Sequence, residues 1–291
     1  MFIHSECIPC IITVRLQEME MMGLSEDVKL RVMRDIVKYL LENSAENMDV
    51  TFIATNTFRI MKKTTGNMDP YRSCKIKSNN IALSLLPYLK RYVDESKNDV
   101  EAFRKACIAS VIGNAIDFGV AEYKFSLEEM DIANTTLSID NVEEFLKLLK
   151  PGVSILYLLD NAGEVVFDTL LLEKIKYRNV KTIGVVKSGA FQNDVTIEDI
   201  KSLDLHSCLD EIVETGTDGS SIFLWEISEK LLRKLNDADL IISKGMANYE
   251  YLSNEVKIRK PIFYLLKAKC SIVAETLGIP HKSYVAKLDL R

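Results

Sequence analysis

The sequence predicts an α/β protein with a helical N-terminal part and a C-terminal part built on a largely parallel β-sheet. In the first half, apolar residues recur at helical spacing in successive segments joined by short polar turns. In the second half, short apolar and β-prone runs alternate with helical patterns, which is typical of βαβ units. We expect residues 1–120 to form the helical part and residues 121–291 the α/β part.

Helical spacing predicts each element of the N-terminal part. Ser25 has the side chain of an N-cap, and acidic residues fill the turn that follows it. One apolar stripe of that helix is expected to face the core: Leu30, Met33, Ile36, Val37, Leu40 and Leu41. The predicted helices span residues 9–22, 25–43, 51–65, 78–97 and 99–118.

The C-terminal part contains alternating strand and helix candidates. The segment at 131–141 has no clear pattern and is expected to join the two parts. Predicted strands span residues 153–159, 181–186, 211–214, 238–243 and 261–265. Predicted helices span residues 164–177, 196–203, 221–236 and 268–278.

Composition and charge exclude several classes of function. The chain has 291 residues, 47% of them hydrophobic and 27% charged, which is the balance of a compact soluble protein. A formal net charge of −5 provides no basic field for nucleic acid or an anionic membrane. No apolar run is long enough to cross a bilayer, and the first residues lack the pattern of a secretory signal. We therefore expect a cytoplasmic protein, and its 6 cysteines are expected to be reduced.

The end of the first predicted strand is the most informative stretch. The apolar run at 153–159 stops abruptly at Asp160 and Asn161, and Glu164 follows. Ligands collect at the carboxyl edge of an open α/β sheet, and neighbouring oxygen donors suit a divalent metal such as Mg²⁺ or Mn²⁺. The alternative is a helix cap, because Asp or Asn before a helix and an acid in its first turn are both common.

The end of the second predicted strand offers a third oxygen donor. Asp194 can complete a set with Asp160 and Asn161 if the two strands are neighbours, and Lys187 can neutralise an anion. The alternative is turn and capping chemistry for the helix that follows.

Later strand ends supply cations. Lys244 and Gly245 form a turn that can present an ammonium and backbone N–H groups to phosphate, although the pattern is not that of a P-loop. Lys267 and Lys269 follow the last predicted strand. In both places the alternative is a solvated surface lysine.

Two further patterns lie outside the predicted sheet. Asn114 and Asp117 share one helical face in an apolar stretch, so they should be hydrogen-bonded or functional. Cys7 and Cys10 form a lone CxxC pair, with His4 just before it. The pair is half a zinc site or a redox pair, or else two small half-buried residues.

Taken together, the motifs resemble one known family. They resemble the metal-dependent damage-control phosphatases, long catalogued as a domain of unknown function, and within them the archaeal and bacterial branch with an N-terminal CxxC. The match spans nearly the whole chain. In order, the motifs are Cys7-x-x-Cys10, Asp69-Pro-Tyr71 with Lys75, Gly113-Asn114-x-x-Asp117-Phe-Gly119, Asp160-Asn-Ala-Gly-Glu164, Asn193-Asp194, Lys244-Gly-x-x-Asn248 and Lys267-x-Lys269-Cys270.

The resemblance implies a fold, a cofactor and a set of site residues. The implied fold is a helical N-terminal subdomain packed on a three-layer α/β/α domain. A divalent metal (Mn²⁺, Co²⁺, Ni²⁺ or Mg²⁺) is implied at Asp160, Asn161 and Asp194. The implied substrate is a small phosphorylated metabolite, such as a sugar phosphate or a damaged cofactor phosphate. The residues assigned to its binding are Lys244, Gly245, Met246, Ala247, Asn248, Lys269, Asn114 and Asp117.

The resulting hypothesis is a metal-dependent phosphomonoester hydrolase in which a metal-activated water attacks phosphorus. The predicted catalytic residues are the three metal ligands and Glu164, and either Asp160 or Glu164 accepts the proton of the water. One alternative is a protein that binds phosphorylated ligands without turning them over. A carboxyl methyltransferase ranks lower, because the sequence has no Gly-rich loop after the first predicted strand. A related eukaryotic branch has been linked to carboxyl methylation, but it carries Arg-Thr-x-Lys where this chain has Lys-Ala-Lys-Cys.

Overall fold

The computed structural model describes residues 1–113, 132 and 134–291. Seven strands form its sheet, and their order is β1-β7-β6-β5-β2-β3-β4. Among the described strands only β6 and β7 pair antiparallel; the other neighbours run parallel. The strands are β1 (Leu137–Asp140), β2 (Ser154–Leu158), β3 (Lys181–Val186), β4 (Glu211–Glu214), β5 (Leu240–Lys244), β6 (Ile262–Lys267) and β7 (Tyr284–Asp289).

Helices cover both faces of this sheet and one of its edges. Their bounds are α1 (Cys7–Met21), α2 (Glu26–Asn43), α3 (Val50–Thr65), α4 (Arg72–Asp94), α5 (Asp99–Gly113), α6 (Val142–Leu146), α7 (Glu164–Lys176), α8 (Ile197–Ser202), α9 (Glu229–Asp237), α10 (Met246–Leu252) and α11 (Ser271–Leu277). No helix in the described part of the chain has both the length and the hydropathy of a bilayer-crossing segment.

Strand β2 shows why the sheet is buried on both faces. Ile155 and Tyr157 belong to the core shared with α5 and α7, whereas Leu156 and Leu158 belong to the core shared with α9 to α11. All four residues are at most 1% exposed. A continuous apolar run without alternation is what a parallel strand covered on both sides requires. Each such side chain contributes about 1.5–3 kcal/mol of burial free energy.

Helices α1 to α3 form a cap with a separate small core. Met19, Ile36 and Phe58 are fully buried within it. The Phe58 ring meets Phe191, which lies in the loop after β3, with 5.2 Å between ring centroids. This contact seats the cap on the carboxyl edge of the sheet.

The structure confirms the predicted fold class, and it differs from the prediction in several elements. The helix predicted at 221–236 begins only at Glu229, because the Ser228 hydroxyl accepts a hydrogen bond from the N–H of Leu231 and caps it there. The residues before it form an aromatic cluster, in which Phe223 stacks on Trp225 at 5.4 Å. Strands β1 and β7 and helices α6 and α10 were not predicted.

The apolar stripe of α2 was predicted too broadly. Val32, Ile36 and Leu40 form the buried line of this helix, whereas Leu30 and Leu41 are 51% and 82% exposed. The cap packs only one narrow side of α2 against α1 and α3. The other apolar residue that was expected in the core, Val37, is also exposed.

The predicted boundary between residues 120 and 121 lies outside the described residues. Helices α4 and α5 pack against α7 and share the core of the sheet. The helices with a core of their own are α1 to α3.

Candidate functional site

The site lies where the order of the strands reverses. From β2 the chain moves to β3 and β4 on one side, while β5 and β6 lie on the other side. Such a switch point leaves a crevice at the carboxyl ends of the two central strands, here β2 and β5. Asp160 follows β2 and Gly245 follows β5, so both lie at this crevice.

Gly245 allows the two strand ends to approach closely. Its φ is +79°, and a Cβ at this position would lie 2.1 Å from Oδ2 of Asp160. Both the left-handed backbone and the missing space exclude a side chain. The Asp160 carboxylate therefore lies directly against the β5–α10 turn.

Backbone hydrogen bonds hold the loop after β2 to the loop after β3. The N–H of Val195 donates to the carbonyl oxygen of Asp160 at 2.7 Å, and the N–H of Ala162 donates to that of Asn193 at 2.8 Å. Asn161 and Asp194 form an isolated antiparallel bridge between these contacts. The structure thus brings Asp160, Asn161 and Asp194 into one place.

The two aspartates repel each other, and both are almost fully buried. Asp160 and Asp194 are 8% and 6% exposed. Burial raises the pKa of Asp160 well above its usual value, and the charges of Glu164 and Asp194 raise it further, while Lys269 and Lys244 oppose the rise. Burial also raises the pKa of Asp194 to about 6. The Lys187 ammonium, 3.4 Å from Asp194, opposes that rise.

These residues fit a hard divalent cation. Neighbouring buried carboxylates favour a cation between or beside them. The described residues contain no cluster of three or more His, Cys, Asp or Glu side chains that could hold a metal; the set at the crevice has two carboxylates and one amide. The amide nitrogen of Asn161 donates to Asp160 at 2.6 Å and to Glu164 at 2.9 Å.

Lys244 occupies a different position from the one predicted. It is fully buried beneath the crevice, where its ammonium donates to Glu164 at 2.5 Å and to Asp168 at 2.6 Å. Burial lowers the pKa of Lys244, but the carboxylates of Asp168 and Glu164 outweigh it and leave that pKa raised. Because this ammonium is committed to internal partners, a direct contact with phosphate does not agree with its placement.

Glu164 is also an internal residue. It has no exposed surface, and its two oxygens accept from Lys244 and from Asn161. Glu164 therefore contacts a predicted ligand rather than the cavity. This position differs from that of a base in contact with an attacking water.

The β5–α10 turn divides into exposed and structural residues. Met246 and Ala247 line the cavity above Asp160. Asn248 is buried; its amide donates to the carbonyl oxygen of Lys244 at 2.9 Å and accepts from Ser221 at 2.8 Å. Asn248 therefore holds the turn together. Asn114 and Asp117, which we also assigned to substrate binding, lie outside the described residues.

The cavity at the crevice has a volume of about 290 Å³. Asp160, Asn161 and Asp194 lie on its wall together with Lys269, whose charge opposes the raised pKa of Asp160. The remaining wall is formed by Val14, Gln17, Glu18, Tyr71, Phe191, Gln192, Asn193, Met246 and Ala247. Lys269 therefore adds a positive charge to a cavity wall that carries two carboxylates of proposed metal ligands.

Sequence reasoning missed the contribution of the cap. Glu18 of α1 is 2% exposed, and its Oε1 accepts from Tyr71 at 3.0 Å and from Gln192 at 2.7 Å. One signal was present in the sequence: Arg15 and Glu18 are charged residues three apart among the apolar positions of α1. Their spacing marked a polar patch on one helical face but not what it faces.

The CxxC pair lies in a neighbouring cavity of about 570 Å³, which Cys270 also lines. All six cysteines are free. Burial is the largest effect on Cys7 and Cys10 and raises both of their pKa values, so both are thiols near neutral pH. The fold thus supplies a third cysteine beside the pair, without a metal cluster among the described residues.

The fold and the crevice define an α/β protein with a candidate metal centre at the switch point of its sheet. A family model described as the damage-control phosphatase ARMT1-like domain matches residues 3–285. The chain belongs to this family.

Similar proteins cover nearly the whole chain. It is 34% identical to a damage-control phosphatase of Archaeoglobus fulgidus, with 97% of each chain covered. It is 37% identical to an uncharacterized protein of Methanocaldococcus jannaschii, with 95% of this chain and 92% of that one covered. The crystal structure of a DUF89 family protein from Pyrococcus horikoshii superposes with a TM-score of 0.87 at 33% identity and covers 98% of each chain.

Proposed function

We propose that the protein is a metal-dependent phosphatase that hydrolyses small phosphorylated metabolites, sugar phosphates or damaged phosphometabolites among them. The observation that carries the proposal is the meeting of two buried carboxylates, Asp160 and Asp194, on the wall of one cavity at the switch point. The family and the relatives that carry the name damage-control phosphatase support the reaction class. A cavity of about 290 Å³ suits a small substrate.

Asp160, Asn161 and Asp194 would hold the divalent metal. When bound, the metal supplies Lewis-acid stabilisation of the phosphoryl oxygens and lowers the pKa of a water. Lys269 lies on the cavity wall and would stabilise negative charge on the phosphate. Asp160 would accept the proton of the water, because its carboxylate lines the cavity while Glu164 does not.

Glu164 and Lys244 would act as positioning residues. Lys244 fixes the Glu164 carboxylate, and Glu164 accepts from the amide nitrogen of Asn161. This series of hydrogen bonds orients the Asn161 side chain before any ligand binds. Pre-organised ligands of this kind hold a metal in one geometry.

Phosphate release from p-nitrophenyl phosphate and a panel of sugar phosphates tests the proposal. The protein is first treated with a chelator and then assayed with Mn²⁺, Co²⁺, Ni²⁺ or Mg²⁺ in turn. We expect metal-stimulated release in the wild type and a loss of at least about 100-fold in Asp160→Asn, because the negative charge of one ligand and the proton acceptor are both removed.

Asp239→Asn provides the matched control. The Asp239 carboxylate accepts from the N–H of Ser154 at the opposite end of β2, at 2.9 Å. Asp239→Asn should keep its activity because Asp239 lies at the amino-terminal edge of the strands, away from the cavity. Wild-type activity in Asp160→Asn would contradict the proposed metal site. Binding of phosphate esters without any release would favour a non-catalytic binding protein.

A further inference from the structure

A second cavity extends the proposed active site along helix α1. It has a volume of about 570 Å³ and lies next to the cavity that contains Asp160. The wall residues common to both are Val14, Phe191, Gln192, Met246, Ala247 and Lys269. A ligand anchored at Asp160 can therefore extend along α1 into the second cavity.

Arg15 lies on the wall of this second cavity. The residue is only 2% exposed. Its Nε and Nη1 atoms are buried and have no hydrogen-bond partner among the described residues, so an anion in the cavity reaches them once the guanidinium shifts toward the wall. The guanidinium lies over the Phe58 ring, 4.9 Å from its centroid. The Phe58 ring faces the cation but leaves these two donors unsatisfied.

Glu18 neutralises the charge of Arg15 but does not accept a hydrogen bond from it. Oε2 of Glu18 lies 3.1 Å from Nη1 of Arg15, yet this oxygen also makes no hydrogen bond among the described residues. The other oxygen of Glu18 is occupied by Tyr71 and Gln192. The pair is therefore an ion pair with poor hydrogen-bond geometry.

Unsatisfied donors on a buried charge are unfavourable, and an external anion would relieve them. A buried donor without a partner destabilises the folded protein. A guanidinium binds carboxylate or phosphate with two parallel hydrogen bonds, which Glu18 does not supply here. The second cavity also contains Lys269 and His281 on its wall. Burial raises the pKa of Glu250, an acid of the same wall, to about 7, which weakens its opposing charge.

We propose that Arg15 binds a second anionic group, a carboxylate or a phosphate, on a substrate whose scissile phosphate lies at Asp160 and Asp194. The substrate class is thus a phosphate monoester with a second acidic group at its far end. This inference rests on the proposed phosphatase function and adds a specificity determinant to it.

Matched substrates of increasing length test the proposal. Each set contains an ω-phosphorylated hydroxy acid, the corresponding diol monophosphate and the corresponding bisphosphate, all with the same number of chain atoms. At one chain length we expect the wild type to show a KM at least about tenfold lower for an acidic compound than for the neutral one. The comparison of the carboxylate and bisphosphate arms identifies which anion Arg15 selects.

Variants assign the preference to Arg15. In Arg15→Met the acidic and neutral compounds should have equal KM values, and in Arg15→Lys part of the preference should remain. The ratio is taken within each variant, so a general loss of activity cancels. Glu18→Gln should increase the preference, because it removes the internal carboxylate that competes for Arg15; it also keeps the test decisive if Arg15→Met does not fold.

Calorimetric binding of non-hydrolysable phosphonate analogues distinguishes a failure of the Arg15 proposal from a failure of the phosphatase proposal. Tighter binding of acidic phosphonates that disappears in Arg15→Met supports the subsite even without turnover. Wild-type protein that hydrolyses the compounds with no acid preference at any length overturns the Arg15 proposal alone. Wild-type protein that neither binds nor hydrolyses any of them overturns the phosphatase proposal as well.

Discussion

Gly245→Ala should impair the proposed metal site while leaving the fold intact. The added Cβ would lie 2.1 Å from Oδ2 and 2.2 Å from Cγ of Asp160. Real Cβ atoms do not approach oxygen this closely, so either the β5–α10 turn or the carboxylate must move by about 1 Å. A displacement of that size in a reacting group reduces the rate by about 100-fold.

The same change also carries a backbone penalty, which a control must remove. Gly245 has a φ of +79°, and Gly66 at the end of α3 has a φ of +72° with no atom within 4 Å of the place that a Cβ would occupy. Gly66 has a ψ of 1°, so Gly66→Ala measures the penalty of a positive φ in the αL conformation alone, about 1 kcal/mol. Gly245 also has a ψ of 165°, a conformation that is essentially confined to glycine, so we expect Gly245→Ala to lose more stability than Gly66→Ala and only Gly245→Ala to lose activity.

The assay combines urea unfolding with metal-dependent phosphate release. For Gly66→Ala we expect a modest decrease in the free energy of unfolding and wild-type kcat/KM. For Gly245→Ala we expect kcat/KM to fall by about 100-fold and metal affinity to fall with it. Wild-type kcat/KM and metal affinity in Gly245→Ala would refute the view that the close approach of β5 positions Asp160.

Two further predictions concern buried charges. Lys244→Met should lower the free energy of unfolding by about 3–5 kcal/mol in urea titrations, because Glu164 and Asp168 lose their shared cation. The control Lys267→Met removes a half-buried cation over the Tyr284 ring and should lower the free energy of unfolding by less than about 1 kcal/mol. Equal losses in the two variants would contradict the proposed role of the triad formed by Lys244, Glu164 and Asp168. Burial raises the pKa of Glu250 to about 7 from an ordinary 4.5. Between these two values the folded protein keeps a proton on Glu250 that the unfolded chain releases. The contribution of Glu250 to the free energy of unfolding should therefore decrease with rising pH between about 4.5 and 7. Glu250→Gln lacks this loss: its stability relative to wild type should rise across that window and be constant above it, and a difference independent of pH would disprove the assignment.

The sequence was sufficient to predict where Asp160 and Asp194 lie in the fold. Strand β2 is a continuous apolar run, and its end places Asp160 at the carboxyl edge of a parallel sheet whatever the other strands do. The oxygen set with Asp194 required only that β3 be the neighbour of β2, which is the commonest outcome for consecutive βαβ strands. These predictions depended on local patterns and on short connections.

The position of Lys244 was beyond such reasoning. Successive residues of a strand point to opposite faces, so Ser243 and Lys244 cannot both face the same layer. Which of them lies under Glu164 depends on the register of β5 against β2, where Leu158 pairs with Ser243. Register is fixed by the packing of both faces, and the composition of one strand does not reveal it.

The sequence did not predict the role of α1, for a different reason. Helical periodicity identified its residues as a helix with one covered face, yet that face covers the carboxyl edge of a sheet that begins more than a hundred residues later. Contacts so distant in the chain leave no local signal. What the sequence did contain was the incongruity of Arg15 and Glu18 on an apolar face, which is the kind of local inconsistency that functional sites produce.

The buried Lys244 triad explains how a site so rich in carboxylates can fold. Asp160, Glu164, Asp168 and Asp194 are all at most 8% exposed, and an excess of negative charge in so small a volume would oppose folding. Lys244 neutralises Glu164 and Asp168 from below, and Lys187 neutralises Asp194 from the side. These two lysines thus compensate Glu164, Asp168 and Asp194, while the pKa of Asp160 is raised at the cavity wall and the charge of Lys269 opposes that rise. The proposed metal would add a positive charge beside Asp160 and Asp194, so that metal binding and the stability of the fold depend on the same charges.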